Sequence, residues 1–154
     1  LSGDDNQAGG DLRNSPWQLW VDGTALPNPG KMSIGLVLVT PDGQIHQTSQ
    51  ILGGTGCNNE AELHALIAGL KLARDAKALH LQVKSDSDFV VRHVKGEMLT
   101  RVERFQALLM EAQQRLTDFA SVELLWIPRH RNGAADALAR QALGLKSSPN
   151  KKQH

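Results

Sequence analysis

WQLWVDGTALPNPG, from Trp17 to Gly30, is the stretch that decides how this chain is read. Its first five residues, Trp17 to Val21, are types that fit a pleated, half-buried surface, and they predict a strand running into Asp22-Gly23. The two prolines and the glycine of Leu26-Pro27-Asn28-Pro29-Gly30 exclude helix and predict a loop whose backbone can approach a ligand closely. The strand is expected to end on Asp22 and to carry it to the C-terminal tip. Asp-Gly after a strand is an ordinary turn signal, so this carboxylate acquires meaning only from what the rest of the chain brings to it.

A chain of 154 residues suits one domain and buries about 70% of the surface exposed when unfolded, so it needs no covalent staples. Net charge is only +1, which argues against holding nucleic acid by bulk electrostatics alone. The charge is uneven: residues 1–77 carry five Lys/Arg against eight Asp/Glu, and residues 78–154 carry twelve against eight. With no Tyr, three Trp and three Phe, a stacking platform for single strands is not expected. Cys57 has no partner for an internal disulfide, and no N-terminal apolar run resembles a signal peptide or spans a bilayer. A reducing cytoplasmic setting is the expectation, with no membrane partner, no obligate protein partner and a monomeric state.

Residues 1–15 are polar and Gly-rich without hydrophobic period and are expected to be disordered; a folded domain over 16–145 and a flexible basic tail over 146–154 follow. Ser33 to Thr40 reads as a second strand, Pro41-Asp42-Gly43 as a turn, Gln44 to Leu52 as a third strand, and Gly53, Gly54 and Gly56 as a loop. From Asn58 the period becomes helical, through Leu63, Ile67, Leu70 and Ala73 to Lys77, with Asn58 or Asn59 as the N-cap. Leu79 to Ser85 alternates as a strand. A short helix over Asp88 to Lys95 precedes a longer one with Val102, Phe105, Leu109, Ala112, Leu116 and Phe119 on one face. Val122 to Ile127 is the fifth strand, and Asn132-Gly133 opens a last helix to Leu143. Three strands in a meander followed by alternating strands and helices describe an α/β mixed sheet whose first, fourth and fifth strands run parallel.

In such sheets ligands sit outside the carboxyl ends of the parallel strands. Asp22 and Asp86 end the first and fourth strands; if these strands are neighbours, about 4.8 Å apart, their carboxylates converge, and two acids that close resist joint ionisation unless a cation sits between them. Glu62 and Asp136 lie near the starts of their helices and can point to the same end. Singly, Asp86 reads as a helix cap and Glu62 and Asp136 as partners of helix dipoles. Together, four carboxylates without a Cys or His cluster suit Mg2+, or Mn2+ as its substitute, rather than zinc.

DGTALPNPG (Asp22 to Gly30), NNEAEL (Asn58 to Leu63), SDSDFV (Ser85 to Val90) and HRNGAAD (His130 to Asp136), in this order and spacing, resemble type 1 ribonuclease H over roughly Trp17 to Gly144. The resemblance implies a ribonuclease H-like fold, five mixed strands with helices on both faces. It implies an endonuclease that hydrolyses the RNA strand of RNA–DNA hybrids with two Mg2+ ions, leaving 5′-phosphate and 3′-hydroxyl ends. It maps metal ligation onto Asp22, Glu62, Asp86 and Asp136, and an assisting role onto His130. Substrate contacts fall on Gly23, Asn28, Pro29, Gly30, Asn58 and Asn59, and the 2′-OH of RNA is what backbone groups around Asn28 to Gly30 and the Glu62 side chain are placed to read. Two alternatives stand beside it: a ribonuclease H-like nuclease acting on DNA, and a non-catalytic hybrid-binding module, which would be expected to have lost a carboxylate.

The chain departs from the family pattern at several places. Cys57 replaces the Thr that precedes the Asn pair in many members and Glu60 the Arg that follows it in some, and both changes weaken the usual pocket for a DNA-strand phosphate; Asp88 replaces a Gln. Only Gly96-Glu97-Met98 separates the two helices between which some members insert a basic protrusion, and the loop from His130 to Asp136 is short. Arg92 and Lys95, beside that missing insertion, are the candidates for DNA-backbone contacts. His46, His64, His80, His93 and His154 lack ligand spacing, and Trp20 and Trp126 are expected in the core.

Overall fold

Strand-forming segments in the first third of the chain and again at His80–Ser85 and Ser121–Trp126, with helical periodicity between and after them, produce the sheet and its covering layers as expected. The computed structural model describes residues 14–145; apart from Asn14 and Ser15, the segments expected to be disordered or flexible lie outside the described residues. Strands β1 (Trp17–Leu26), β2 (Gly30–Val39) and β3 (Ile45–Gly56) form the meander. Helix α1 (Asn58–Asp75), strand β4 (His80–Ser85), helices α2 (Asp88–Val94) and α3 (Glu103–Leu116), strand β5 (Ser121–Trp126), a 3-10 turn (Arg129–Arg131) and helix α4 (Gly133–Ala142) follow. The sheet order is β3-β2-β1-β4-β5. β1 is antiparallel to β2 and parallel to β4, which is parallel to β5.

β1 does not end on Asp22. It continues to Leu26 because β2 stays in register with it, Asp22 opposite Gly35 and Leu26 opposite Lys31, and Pro27-Asn28-Pro29 make the hairpin turn. β4 stops earlier: Val21 opposite Ser85 is the last pair between them. Gly53 to Gly56 also belong to a strand, β3, which reaches Gly56 through the left-handed Gly54 (φ 78°) and a register shift between Lys31 and Ser33. A bulge lets a glycine-rich segment stay paired where a regular ladder would break.

α1 lies on the face of the sheet that carries Leu19 and Val21, drawn close because Gly69 has no side chain: an added Cβ would sit 2.9 Å from both residues. Leu63, Leu66 and Leu70 of α1 join Leu19, Ile34, Leu81 and Val83 in the core, each leucine contributing about 2 kcal/mol on burial. α3 adds Phe105, Leu109 and Ala112 to it. α4 lies on the opposite face, where a Cβ on Gly35 would meet the Ala135 carbonyl oxygen at 2.0 Å. The N-cap of α1 is Cys57 rather than either asparagine, since the Glu60 carboxylate reaches back to the Cys57 N–H at 3.0 Å. Neither tryptophan is in the core: Trp126 is 51% exposed, donating to the Asp86 carbonyl, and Trp20 is half-buried with the Lys84 ammonium 4.3 Å above its ring. Among the described residues no helix is long and apolar enough to cross a membrane.

Candidate active site

Beyond Val21, β1 has lost its neighbour on one side, and its backbone donors there need other partners. Two side chains of α1 supply them. The Gly23 N–H donates to Glu62 Oε1 at 2.8 Å, and the Ala25 N–H donates to Asn58 Oδ1 at 2.8 Å. Alternate residues of a strand repeat at about 6.7 Å, and residues four apart on a helix at about 6 Å, so one helical turn serves two successive free donors. The close approach is set by Gly23, where a Cβ would fall 2.1 Å from the Ala61 carbonyl oxygen. The Asp-Gly pair is therefore a strand-to-helix contact and not a turn.

The same gap gathers the acids. Asp86 follows the last residue of β4, and its expected alternative as a helix cap falls away because Ser87 caps α2, its Oγ accepting from the Val90 N–H at 3.1 Å. Asp22, Glu62 and Asp86 each offer a carboxylate oxygen, and these atoms lie within 4.8 Å of one another. Asp136, buried in the first turn of α4, lines the same cavity of about 260 Å³. Burial, then the charges of Asp86 and Asp136, push the Glu62 carboxyl up to about 8, against the pull of the Gly23 N–H and Arg129. Such a cluster cannot hold its full negative charge without a counterion. Its all-oxygen donors fit a hard divalent cation of the Mg2+ type.

The cavity is also lined by Thr24, Arg129 and Arg140, which sequence reading did not single out. Arg140 stands four residues after Asp136 on α4, a spacing that places both on one helix face and was available as a signal. His130 is exposed on the 3-10 turn and is not among the lining residues, whereas its neighbour Arg129 is. The Asn58 N–H donates to Asn28 Oδ1 at 2.9 Å, so Asn28 fastens the Pro27–Pro29 turn to the start of α1. Gly30 is tight against Pro27, whose carbonyl oxygen would lie 2.3 Å from an added Cβ. Asn59 is half-buried on the first turn of α1.

Arg92 and Lys95 are not brought to the acids. Arg92 Nε pairs with Asp88 at 3.0 Å, both side chains exposed, and Lys95 borders a separate depression with Val94, Leu116 and Val122. At the start of α1 the Glu60 carboxylate takes both the Cys57 N–H and the Arg104 guanidinium, at 3.0 and 3.2 Å. Those contacts hold it below the usual carboxylate range despite the opposing effect of burial. A depression of about 450 Å³ at the other end of β1, lined by Trp17, Thr40, Pro41 and Leu79, contains one carboxylate, Asp42, and so lacks a comparable donor set.

The family described as reverse transcriptase-like matches residues 20–142. Ribonuclease HI of Halobacterium salinarum is 35% identical over 124 residues, 80% of this chain, which spans 62% of that protein's length. The crystal structure of RNase H1 from the same archaeon superposes with a TM-score of 0.81 at 33% identity, covering 84% of this chain and 98% of that one. LC11-RNase H1, isolated from compost by a metagenomic approach and solved in complex with RNA/DNA hybrid, gives 0.76 at 25% identity over 83% of this chain and 96% of that one. With the sheet order, the three clustered acids and Asp136 at their side, these likenesses establish that the chain belongs to the type 1 ribonuclease H family.

Proposed function

We propose that this chain is an endoribonuclease that hydrolyses the RNA strand of RNA–DNA hybrids, leaving 5′-phosphate and 3′-hydroxyl ends. The observation that carries the reading is the convergence of Asp22, Glu62 and Asp86 within 4.8 Å. The complex of a relative with RNA/DNA hybrid supports the choice of substrate. In this reading Asp22, Glu62, Asp86 and Asp136 hold two Mg2+ ions, with Mn2+ as a substitute. Bound there, the metal supplies an activated water and stabilisation of the leaving oxygen. The water gives up one proton as its oxygen bonds to phosphorus, the bond from phosphorus to the 3′-oxygen breaks, and that oxygen takes up a proton.

The chain's own residues then do the rest. Asp22 enters from the α4 face of β1, opposite Gly35, while Glu62 comes from α1 on the other face. Arg129 and Arg140 line the cavity and are placed to meet phosphate oxygens, partly offsetting the repulsion between substrate and acids. Gly23, Asn28, Pro29, Gly30, Asn58 and Asn59, on β1, its hairpin turn and the start of α1, are the residues this reading assigns to contact with the minor groove and its 2′-OH groups; two of them, Gly23 and Asn58, line the cavity. His130, at the exposed rim, moves the proton or eases product away and holds no metal. Every acid of the site comes from one copy, so a monomer is complete.

The test is incubation with hybrid, duplex DNA, duplex RNA and single strands, in Mg2+, Mn2+ or EDTA. Internal cuts confined to the RNA of the hybrid, and stopped by EDTA, are expected. Equal cutting of duplex DNA would overturn the substrate assignment, and metal-independent cutting would overturn the mechanism.

A further inference from the structure

The sequence gives Asn132 no more than the opening of the last helix, yet it is only 1% exposed, and its polar atoms must find partners inside the protein. Its side-chain Nδ2 donates to the Val21 carbonyl at 2.9 Å and to Asp86 Oδ2 at 2.9 Å. Its backbone carbonyl accepts the Asp136 N–H at 3.1 Å. Val21 is the residue before Asp22 and the last in register with β4. One buried residue thus touches the strand end that carries Asp22, the carboxylate of Asp86 and the backbone of Asp136.

We infer that Asn132 is a positioning residue that sets the mutual geometry of the carboxylates from β1, β4 and α4. A primary amide presents two hydrogens from a single nitrogen in one plane, which is what two acceptors on neighbouring strands require. Holding Oδ2 of Asp86 in a fixed direction fixes the plane of that carboxylate, and with it the bearing of the other oxygen. Partners that orient a metal ligand typically change metal affinity 10–100-fold when removed. The inference rests on the reading of the acid cluster as a cation site.

The experiment is calorimetric titration of the chain with Mn2+ in the absence of nucleic acid, for wild type, Asn132→Ala and Asn132→Asp, with circular-dichroism melts to establish folding. Asn132→Asp keeps the shape and adds a negative charge, and Asp is also a good residue at a helix start. If Asn132 only filled space, this variant would bind Mn2+ as tightly as wild type or more tightly. The positioning role predicts the opposite sign: both variants fold, and both bind Mn2+ at least about tenfold more weakly. Unchanged or tighter binding in Asn132→Asp overturns the inference alone, as does unfolding of both variants, which would assign the residue to the fold. Absence of Mn2+ binding in wild type would remove the cation site, the proposed function and the inference together.

Discussion

The two halves of β1 are built from one strand and behave differently. From Gln18 to Val21 the strand is paired with both β2 and β4, so the two ladders supply its neighbours on either side. From Asp22 to Leu26 it keeps β2 only, and Glu62 and Asn58 take the place of the missing strand. A strand that outlasts one neighbour therefore opens a slot, and elements crossing the end of the shorter strand can place polar side chains in it. Asp86 enters from the strand that stopped, Glu62 from the helix on one face and Asp136 from the helix on the other.

Breaking the unpaired half at its chemistry gives the largest effect. Asp86→Asn is expected to bring hybrid cleavage to the assay floor at any Mg2+ concentration. It should also raise Tm slightly, because one charge of a repelling cluster is gone. A Trp20→Leu change in the paired half removes only a half-buried ring stacked under Lys84 and should leave cleavage within a few-fold. An active Asp86→Asn enzyme would show that the slot is not where the chemistry occurs.

Gly23→Ala breaks the same half mechanically. The new Cβ would meet Ala61 O at 2.1 Å and Glu62 N at 2.7 Å, backbone atoms that cannot swing aside. A cost of about 1–3 kcal/mol is expected, a fall in Tm of about 3–10 °C, with loss of activity as α1 and Glu62 move outward. Gly53→Ala, where nothing lies within 4 Å and φ is ordinary, is the control and should be nearly neutral. Equal melting temperatures for the two variants would mean that α1 does not rest on Gly23.

A smaller effect sharpens the comparison through pH. Glu62 binds its proton more tightly in the folded chain, at about 8, than at its ordinary value of 4.5. Between those values the native state holds more protons than the unfolded state, so this group's contribution is complete below about pH 4.5 and is lost as pH rises through about 8. Melting in EDTA from pH 5 to 8.5 should show stability declining across that window. Glu62→Gln should flatten the decline, and saturating Mg2+ should do the same by favouring the ionised form. Wild-type and Glu62→Gln curves that run parallel in EDTA would deny the burial of this charge.

The elements themselves, the parallel sense of the first, fourth and fifth strands and the carboxylates at strand and helix ends were legible in the sequence, because each rests on a local pattern or on the order of the elements; which strands lie side by side is set by pairings between distant segments. The continuation of β1 through Asp-Gly was not legible, since its cause is a register with β2 and a contact of Gly23 with Ala61, 38 residues away. The roles of Asn132 and Arg129 were equally hidden. An asparagine before a helix reads as a cap, and only the folded chain shows its amide reaching across 111 residues to Val21. Trp126 departs from the expectation because it closes β5, where its ring is 51% exposed and its indole N–H turns to the Asp86 carbonyl.

The smallest expected effect lies outside the slot altogether. Arg92 and Lys95 are the candidate contacts for the DNA strand, and the structure gives Arg92 a partner already, Asp88 at 3.0 Å, one helical turn away. An exposed pair of this kind contributes about 0–1 kcal/mol to stability, so Arg92→Ala should hardly change Tm. A phosphate competing for the guanidinium has to displace Asp88, which lowers the gain on binding. Arg92→Ala should therefore raise KM only about two- to threefold with kcat unchanged, the pattern of lost uniform binding. Asp88→Asn, by releasing Arg92, should lower KM and steepen its dependence on salt. If both substitutions leave KM and its salt dependence as they are in wild type, the DNA strand does not pass over α2, and the hybrid is held by the groove beside β1 alone.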